Sequence, residues 1–493
     1  MEFSVNMSED RREETLDPEN WDELKEIGHR MVDDMMDYLA SVRERPPVMP
    51  VNEEFVEGFM KPVPMEPEGI EKTYSDFQGS VLKNHMGLNT HPRFWGWVVG
   101  TGTAQGALAE MLAAGINFNM PGGPFVPVVM ETQVLEWFKG IFGFPREASG
   151  LLVGGGSDAN LLGIAVARNT KAGFDVRKLG QAASPRRMVL YGSTETHVCI
   201  DKSVQLLGIG EENFRKILVD DEFRVRVDLL EEAIRKDKAE GLQPFCVVGN
   251  AGTTNTGSFD DLAALADVCQ REGLWFHVDG AFGAWAAISE ETRPLVNGMD
   301  RADSLAFDLH KWMYMPFEVA CILVRREEDH FKTFAEHPDY FGSANTMKLR
   351  TDYGIQVSRY FRSLKVWMSL KEHGLNKYGR LVQQNCDQAR YLAGLLGASP
   401  EFELLSPVAS NVVCFRFKVP GLSEEALNEF NSKIPMMLMG MGVAMISDTR
   451  LKGKLALRVC VVNHRSRRED FDFLAAKLKE VEAVLLQKMG QRF

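Results

Sequence analysis

The run "SLAFDLHKWMYMP" (304–316) sets His310 and Lys311 among apolar side chains. An ammonium there must be paired, neutralised or carried back to water. A snorkelling stem with a solvated head is the ordinary explanation for such a lysine. The chemical alternative is an amine whose pKa is lowered by partial dehydration, a competent nucleophile toward a carbonyl carbon. Other stretches carry groups that this chemistry would need. "GLLVGGGSDANLLGIAVAR" (150–168) runs from a strand-like segment through Gly154, Gly155 and Gly156 into Ser157 and Asp158 at a helix start. Glycines admit close approach, and free N–H groups with the helix dipole favour an anion such as phosphate. "LWFHVDGAFGAW" (274–285) ends an apolar run on Asp279, with Gly280 and Ala281 leaving space beside it. "YGSTETHVCIDKS" (191–203) places His197 just past a strand, and "GNAGTTNTGSFDDL" (249–262) places small hydroxyl residues past another, with Asp260 or Asp261 capping the next helix.

These motifs need a scaffold that delivers them to one place. From about residue 130, apolar runs at 150–154, 187–192, 244–250, 274–280, 304–308 and 319–324 alternate with helical patterns. That rhythm predicts an α/β domain with a mostly parallel sheet, where ligands bind at the carboxyl ends of strands. The short gap between 304–308 and 319–324 makes those two strands antiparallel or separated. Past about residue 365 a long helix, "NVVCFRFKV", a helix, "LALRVCVV" and a final helix describe a smaller α+β domain. At the other end, "DPENWDELKEIGHRMVDDMMDYLASV" predicts a helix capped by Asp17, with Leu24, Ile27, Met31, Met35 and Leu39 on one face. Prolines end that helix, and its stripe needs another surface, such as a second subunit.

The 493 residues exceed one simple core, and a net charge of −13 argues against nucleic-acid or anionic-membrane partners. There is no run of 18 apolar residues and no signal-peptide pattern, so a cytoplasmic location is expected. Met7 suits a natural start, which would make "MEFSVN" an extension. Seven scattered cysteines, none in a CxxC pair, indicate neither a disulfide scaffold nor a zinc site, and no metal is expected.

Two cofactor readings compete. Gly154, Gly156 and Ala159 satisfy G-x-G-x-x-A, a dinucleotide fingerprint, but the polar "NTKAGFDVRKLGQAASPRR" that follows lacks the second strand the fingerprint requires. Pyridoxal 5′-phosphate uses every motif: a helix N-terminus for its phosphate, a carboxylate for its ring nitrogen, a flat side chain for its ring face, and a lysine for its aldehyde.

"HVDGAFGAW", "DLHKWMYMPFEVACILV", "GTTNTGSFDDL", "HPRFWGW" and "RYFRSLKVW", in consistent order between about residues 17 and 480, resemble the group II pyridoxal-phosphate amino-acid decarboxylases, which include the aromatic-L-amino-acid and glutamate decarboxylases. The resemblance implies a type I aminotransferase-like fold in three parts: an N-terminal helical segment (1–90) packed on a homodimer partner, a large cofactor-binding domain (91–365) and a small α+β domain (366–493). It implies Lys311 as the Schiff-base lysine, Asp279 as partner of the pyridinium nitrogen and His197 as the stacking residue. Gly155, Gly156, Ser157 and His310 would lie at the phosphate, Ala281 against the other ring face, and Thr254 by the ring substituents. Tyr340 would be the loop tyrosine that protonates the substrate carbon, and Trp97 and Val98 would belong to the substrate pocket. Asp308-Leu309 stand where close relatives carry Asn-Pro, so Asp308 is expected to point away from the phosphate or meet a cation. The implied activity is decarboxylation of an L-amino acid, aromatic in preference to acidic or aliphatic, with aldehyde synthesis as the rival on the same fold. A catalytically silent homologue is disfavoured by the presence of Lys311, Asp279 and His197 together.

Overall fold

A computed structural model describes residues 14–48, 51, 53–84, 87–120, 122–336 and 348–490. Chain contacts divide it into two compact units, residues 1–44 with 51–86, and residues 45–50 with 87–493. The first unit is helical. Its Trp21–Ala40 helix is capped by Asn20, whose side chain accepts from the N–H groups of Asp22 and Glu23 at 3.1 and 3.3 Å. The helix therefore begins three residues later than a cap at Asp17 would start it. Of the expected stripe, Ile27 is buried and Leu24, Met31, Met35 and Leu39 are half-buried.

The second unit holds both sheets. The larger has seven strands, β1 (Ser149–Val153), β2 (Met188–Ser193), β3 (Phe214–Ile217), β4 (Gln243–Asn250), β5 (Trp275–Asp279), β6 (Ser304–Asp308) and β7 (Ala320–Val324). Their order is β1-β7-β6-β5-β4-β2-β3. Neighbours from β6 to β3 are parallel, while β7 runs antiparallel to both β6 and β1. So β1 points the same way as β6, and the glycine turn after β1 arrives at the same sheet end as the residues after β2, β4, β5 and β6. The antiparallel alternative for 304–308 and 319–324 is the one adopted.

Strand β7 shows why these segments are unbroken apolar runs. Cys321 and Leu323 enter the core on one face, and Ala320, Ile322 and Val324 enter the core on the other. Both faces are covered by helices, as expected of a mostly parallel sheet. The Gly156–Lys171 helix comes so close that a Cβ on Gly163 would lie 2.5 Å from the His277 ring of β5. The smaller sheet, antiparallel and in the order β10-β11-β9-β8, comprises β8 (Phe402–Leu404), β9 (Val412–Phe417), β10 (Ser447–Leu451) and β11 (Lys454–Cys460). It packs Val413, Phe415 and Val459 against Leu392, Phe471 and Leu478 of two long helices.

Strand β1 is at the sheet edge, and its outward polar groups are met by a buried ion pair. Arg359 contacts Glu131 at 2.6 Å, with both side chains 1% exposed. Glu131 accepts from the Leu152 N–H, and Arg359 donates to the Leu152 carbonyl at 3.0 Å. Burial would raise the Glu131 pKa, but the Arg359 guanidinium outweighs it and holds the carboxyl below its ordinary value. Removing one member strands the other's charge away from water, so Arg359→Ala should lower unfolding free energy by about 3–5 kcal/mol in denaturant titrations. A loss under about 1 kcal/mol would show that the clamp is dispensable.

Candidate active site

Five strand ends converge on one cavity of about 180 Å³. After β1, Gly155 caps the next helix with no side-chain hydrogen bond, and Gly155, Gly156 and Ser157 line the cavity. A Cβ on Gly155 would meet nothing within 4 Å, whereas one on Gly156 would stand 2.8 Å from Asp308 Oδ2. The turn is thus open on one side and tight on the other. After β2, His197 caps its helix by accepting the Cys199 N–H at Nδ1, 3.3 Å, and also lines the cavity. Burial lowers its pKa, opposed by Asp279, so the ring is neutral near pH 7. Past β4, Asn250 and Gly252 to Thr254 reach the wall. Asp261 caps the following helix, while Asp260 is buried and receives the Asn250 amide at 2.7 Å.

At the end of β5, Asp279 is 5% exposed. Its Oδ1 accepts the Ala281 N–H at 3.1 Å, and its Oδ2 meets the Cys199 thiol at 3.9 Å. That leaves Oδ2 able to take a strong donor from the cavity. Behind it, the neutral His277 ring bridges Asn160 and Ser304, 2.7 Å on each side, and Asn160 donates to the Gly156 carbonyl at 2.8 Å. Burial pushes the His277 pKa down to about 3.

Asp308 ends β6, and His310 and Lys311 follow it. Lys311 Nζ lies 2.7 Å from Asp308 Oδ2, so Asp308 meets a cation, one of the two outcomes expected of it, but it remains within the site. The lowered lysine pKa expected from dehydration is not found. Burial pulls it down, yet Asp308, with Asp279 behind it, more than offsets burial and raises it above the ordinary lysine value. His310 is also buried, which lowers its pKa, and its Nδ1 accepts the Val319 N–H at 3.2 Å, leaving Nε2 to carry the proton.

The cavity brings together every expected cofactor residue: Gly155, Gly156, Ser157, His197, Thr254, Asp279, Ala281, His310 and Lys311. Val98 lines it as well, but Trp97 does not. At φ 53° the chain turns the Trp97 ring outward to 58% exposure, and Arg458 of β11 donates to its carbonyl at 2.8 Å. Tyr340 lies outside the described residues. Asn160, Glu195, Cys199 and Phe282 line the cavity without having been singled out in the sequence. Burial raises the Glu195 pKa despite a 2.9 Å hydrogen bond from Asn255.

The sequence profile of the pyridoxal-dependent decarboxylase conserved domain matches residues 53–418. An aromatic-L-amino-acid decarboxylase from Bacillus atrophaeus is 32% identical across 93% of this chain and 95% of its own. A phenylacetaldehyde synthase from Arabidopsis thaliana is 28% identical across 90% and 93%. The crystal structure of Oryza sativa TDC with PLP and tryptamine superposes with a TM-score of 0.87, covering 96% of this chain and all of that one, and its 24% identity bears on the fold alone. The chain belongs to the pyridoxal-dependent decarboxylase family, as a pyridoxal-phosphate-dependent carboxy-lyase acting on an amino acid. Its residues fit the cofactor: an open glycine turn at a helix N-terminus, a buried carboxylate with one oxygen met only by a distant thiol, a neutral imidazole and a lysine share one cavity.

Backbone packing holds Lys311 in place. Gly100 is buried where a Cβ would come 2.2 Å from the His310 carbonyl oxygen and 2.3 Å from that of Lys311. Gly100→Ala must push this segment off the lysine turn, an overpacking cost of about 1–3 kcal/mol. Its expected result is a lower Tm together with faster cofactor loss in dialysis, followed by visible absorbance. Wild-type retention would show that the turn tolerates displacement.

Proposed function

We propose that the enzyme decarboxylates an aromatic L-amino acid to its amine. The observation carrying this reading is the 32% identity to an aromatic-L-amino-acid decarboxylase across nearly the whole of both chains. The cavity agrees in charge. Among the described residues its wall brings one ammonium, that of Lys311, and no guanidinium, while Glu195 adds a carboxylate. A second acidic group on the substrate would find no dedicated cation.

Bound here, pyridoxal phosphate supplies a protonated ring that accepts the electron pair left when the carboxyl group departs as CO₂. Lys311 is the residue that attaches it. Asp279 would face the ring nitrogen and keep it protonated, its other oxygen already fixed by the Ala281 N–H. His197, neutral and oriented by its capping bond, would stack on one ring face without adding a competing positive charge. Ala281 would pack on the other face, and Thr254 would meet the ring substituents. Gly155, Gly156 and Ser157 present the helix N-terminus to the phosphate, with the His310 Nε2 proton close by. Val98 would contribute to the substrate pocket, whereas Trp97, its ring turned outward, does not line it.

The three-part organisation at 1–90, 91–365 and 366–493 and a cytoplasmic homodimer belong to the same proposal. Support for the dimer is the apolar surface left on two helices: Met111, Leu112 and Ile116 on Ala104–Ile116, and Val126 and Val129 on Val126–Phe142, are all exposed. Such patches are usually covered by another chain. Among the described residues no helix is long and apolar enough to cross a membrane.

Screening L-amino acids for CO₂ release should give a kcat/KM at least tenfold higher for aromatic substrates than for any acidic or aliphatic one. The reverse order would overturn the substrate class. Asp279→Asn should cost several orders of magnitude in kcat with little change in Tm, since it removes the charge and keeps the shape. An Asp279→Asn variant with wild-type kcat would reduce Asp279 to a structural part.

Aldehyde synthesis is the second reading, favoured by the relative named phenylacetaldehyde synthase. The two readings part at Tyr340, proposed as the proton donor to the substrate α-carbon. Tyr340→Phe should cut amine formation and raise aldehyde, ammonia and peroxide, with oxygen consumed. Unchanged amine output would remove Tyr340 from that role.

A further inference from the structure

Asp308 is a carboxylate that the assigned roles leave unused. It ends β6 at 1% exposure, and among the described residues its ion-pair partners within 4 Å are Lys311 and His310. Lys311 Nζ is 2.7 Å away and His310 Nε2 is 3.7 Å away, and neither oxygen accepts a well-aligned hydrogen bond from another described group. The same carboxylate stands where a Cβ on Gly156 would be, at 2.8 Å, one residue from the open face of the anion turn at Gly155. The pair is therefore both the charge balance of the lysine and a wall of the cradle.

Attachment of the cofactor requires Lys311 as a free amine. If the proton left for solvent, Asp308 would remain a buried carboxylate without its cation, beside an incoming phosphate. Removing one member of a buried ion pair is the expensive way to break it. The other groups facing the pair are poor recipients. His310 already spends Nδ1 on the Val319 N–H, His197 spends Nδ1 on the Cys199 N–H, and burial disfavours the cationic form of both. The Cys199 thiol is held protonated by burial. Asp279 is committed to the ring nitrogen, and Asp158 is exposed and does not line the cavity.

We propose that Asp308 is the internal proton acceptor of Lys311 when the cofactor attaches: one N–H bond at Nζ breaks and one O–H bond forms at Asp308, the two hydrogens still on Nζ leave with the aldehyde oxygen as water when nitrogen bonds the carbonyl carbon, and a neutral carboxylic acid remains at the phosphate cradle. Charge within the pair is conserved, from ammonium and carboxylate to amine and acid, and no outside base is needed. The acid then offers a donor where a carboxylate would repel the phosphate. This rests on Lys311 as the attachment site.

The test is difference infrared spectroscopy, cofactor-loaded minus cofactor-stripped protein. Wild type should gain a protonated-carboxyl C=O band that shifts in D₂O and with ¹³C-labelled aspartate, the label separating Asp308 from Glu195. Asp308→Asn should lack it. Should that variant not fold, Lys311→Ala soaked with the cofactor should also lack it, because no proton is handed over. Absence of the band in wild type, or its persistence in either variant, would overturn the proposal. Borohydride reduction of the same samples separates the two layers. A label on Lys311 without the band sinks this proposal alone, and a label on another residue sinks the Lys311 assignment with it.

Discussion

One ammonium, held 2.7 Å from the carboxylate of Asp308 in a cavity of about 180 Å³, is the interaction around which the rest of the structure is arranged. A lysine in such a place is tolerable only if counter-charges are fixed with it, and those come from different strands. Asp308 ends β6 and Asp279 ends the neighbouring β5, with the ladder pairing Asp279 to Ala306 and Asn250 to Asp279. A slip of one residue in this register would turn either carboxylate into the opposite core. The sheet is thus the device that fixes the charges, and its apolar faces stabilise an arrangement that its end destabilises.

Close packing carries the same constraint outward. Gly100 lets a strand-like segment ride over the carbonyls of His310 and Lys311, and Gly163 lets the helix that begins at the anion turn settle on the His277 ring. His277 in turn holds Asn160, and Asn160 holds the carbonyl of Gly156. A polar chain therefore links β5 and β6, through Ser304, to the first turn of the helix. Each member is fully buried and satisfied, the condition under which such a network rigidifies a site. From the smaller sheet, Arg458 donates to the backbone carbonyls of Trp97 and Asn255, and Asn255 donates to Glu195 at the cavity wall.

Much of this was legible in the sequence because apolar runs ending in glycine or a charge mark strands of a two-sided sheet. Six of the seven large-sheet strands announce themselves in this way. The seventh, β3, is "FRKI", a half-solvated edge strand whose two cations disguise it. The short β8 and the polar β10 of the small sheet were hidden for a similar reason. The cofactor residues were legible as motifs, since each lies within four residues of a strand end. Asn160 carried a signal too, a polar residue beside the apolar run "LLGIAVA". The Arg359–Glu131 clamp was not legible, because its members lie far apart in the chain and each resembles an ordinary surface charge. Nor was the raised pKa of Lys311: dehydration alone predicts the opposite sign, and only the distance to Asp308 decides the balance.

The central claim is that this lysine, and no other, carries the cofactor. Purified protein reduced with borohydride and digested should yield one pyridoxyl-modified peptide spanning 304–316, with the mass increment on Lys311 and the visible absorbance gone. Modification on any other lysine, or a protein that binds pyridoxal phosphate without reducible attachment, would contradict the account.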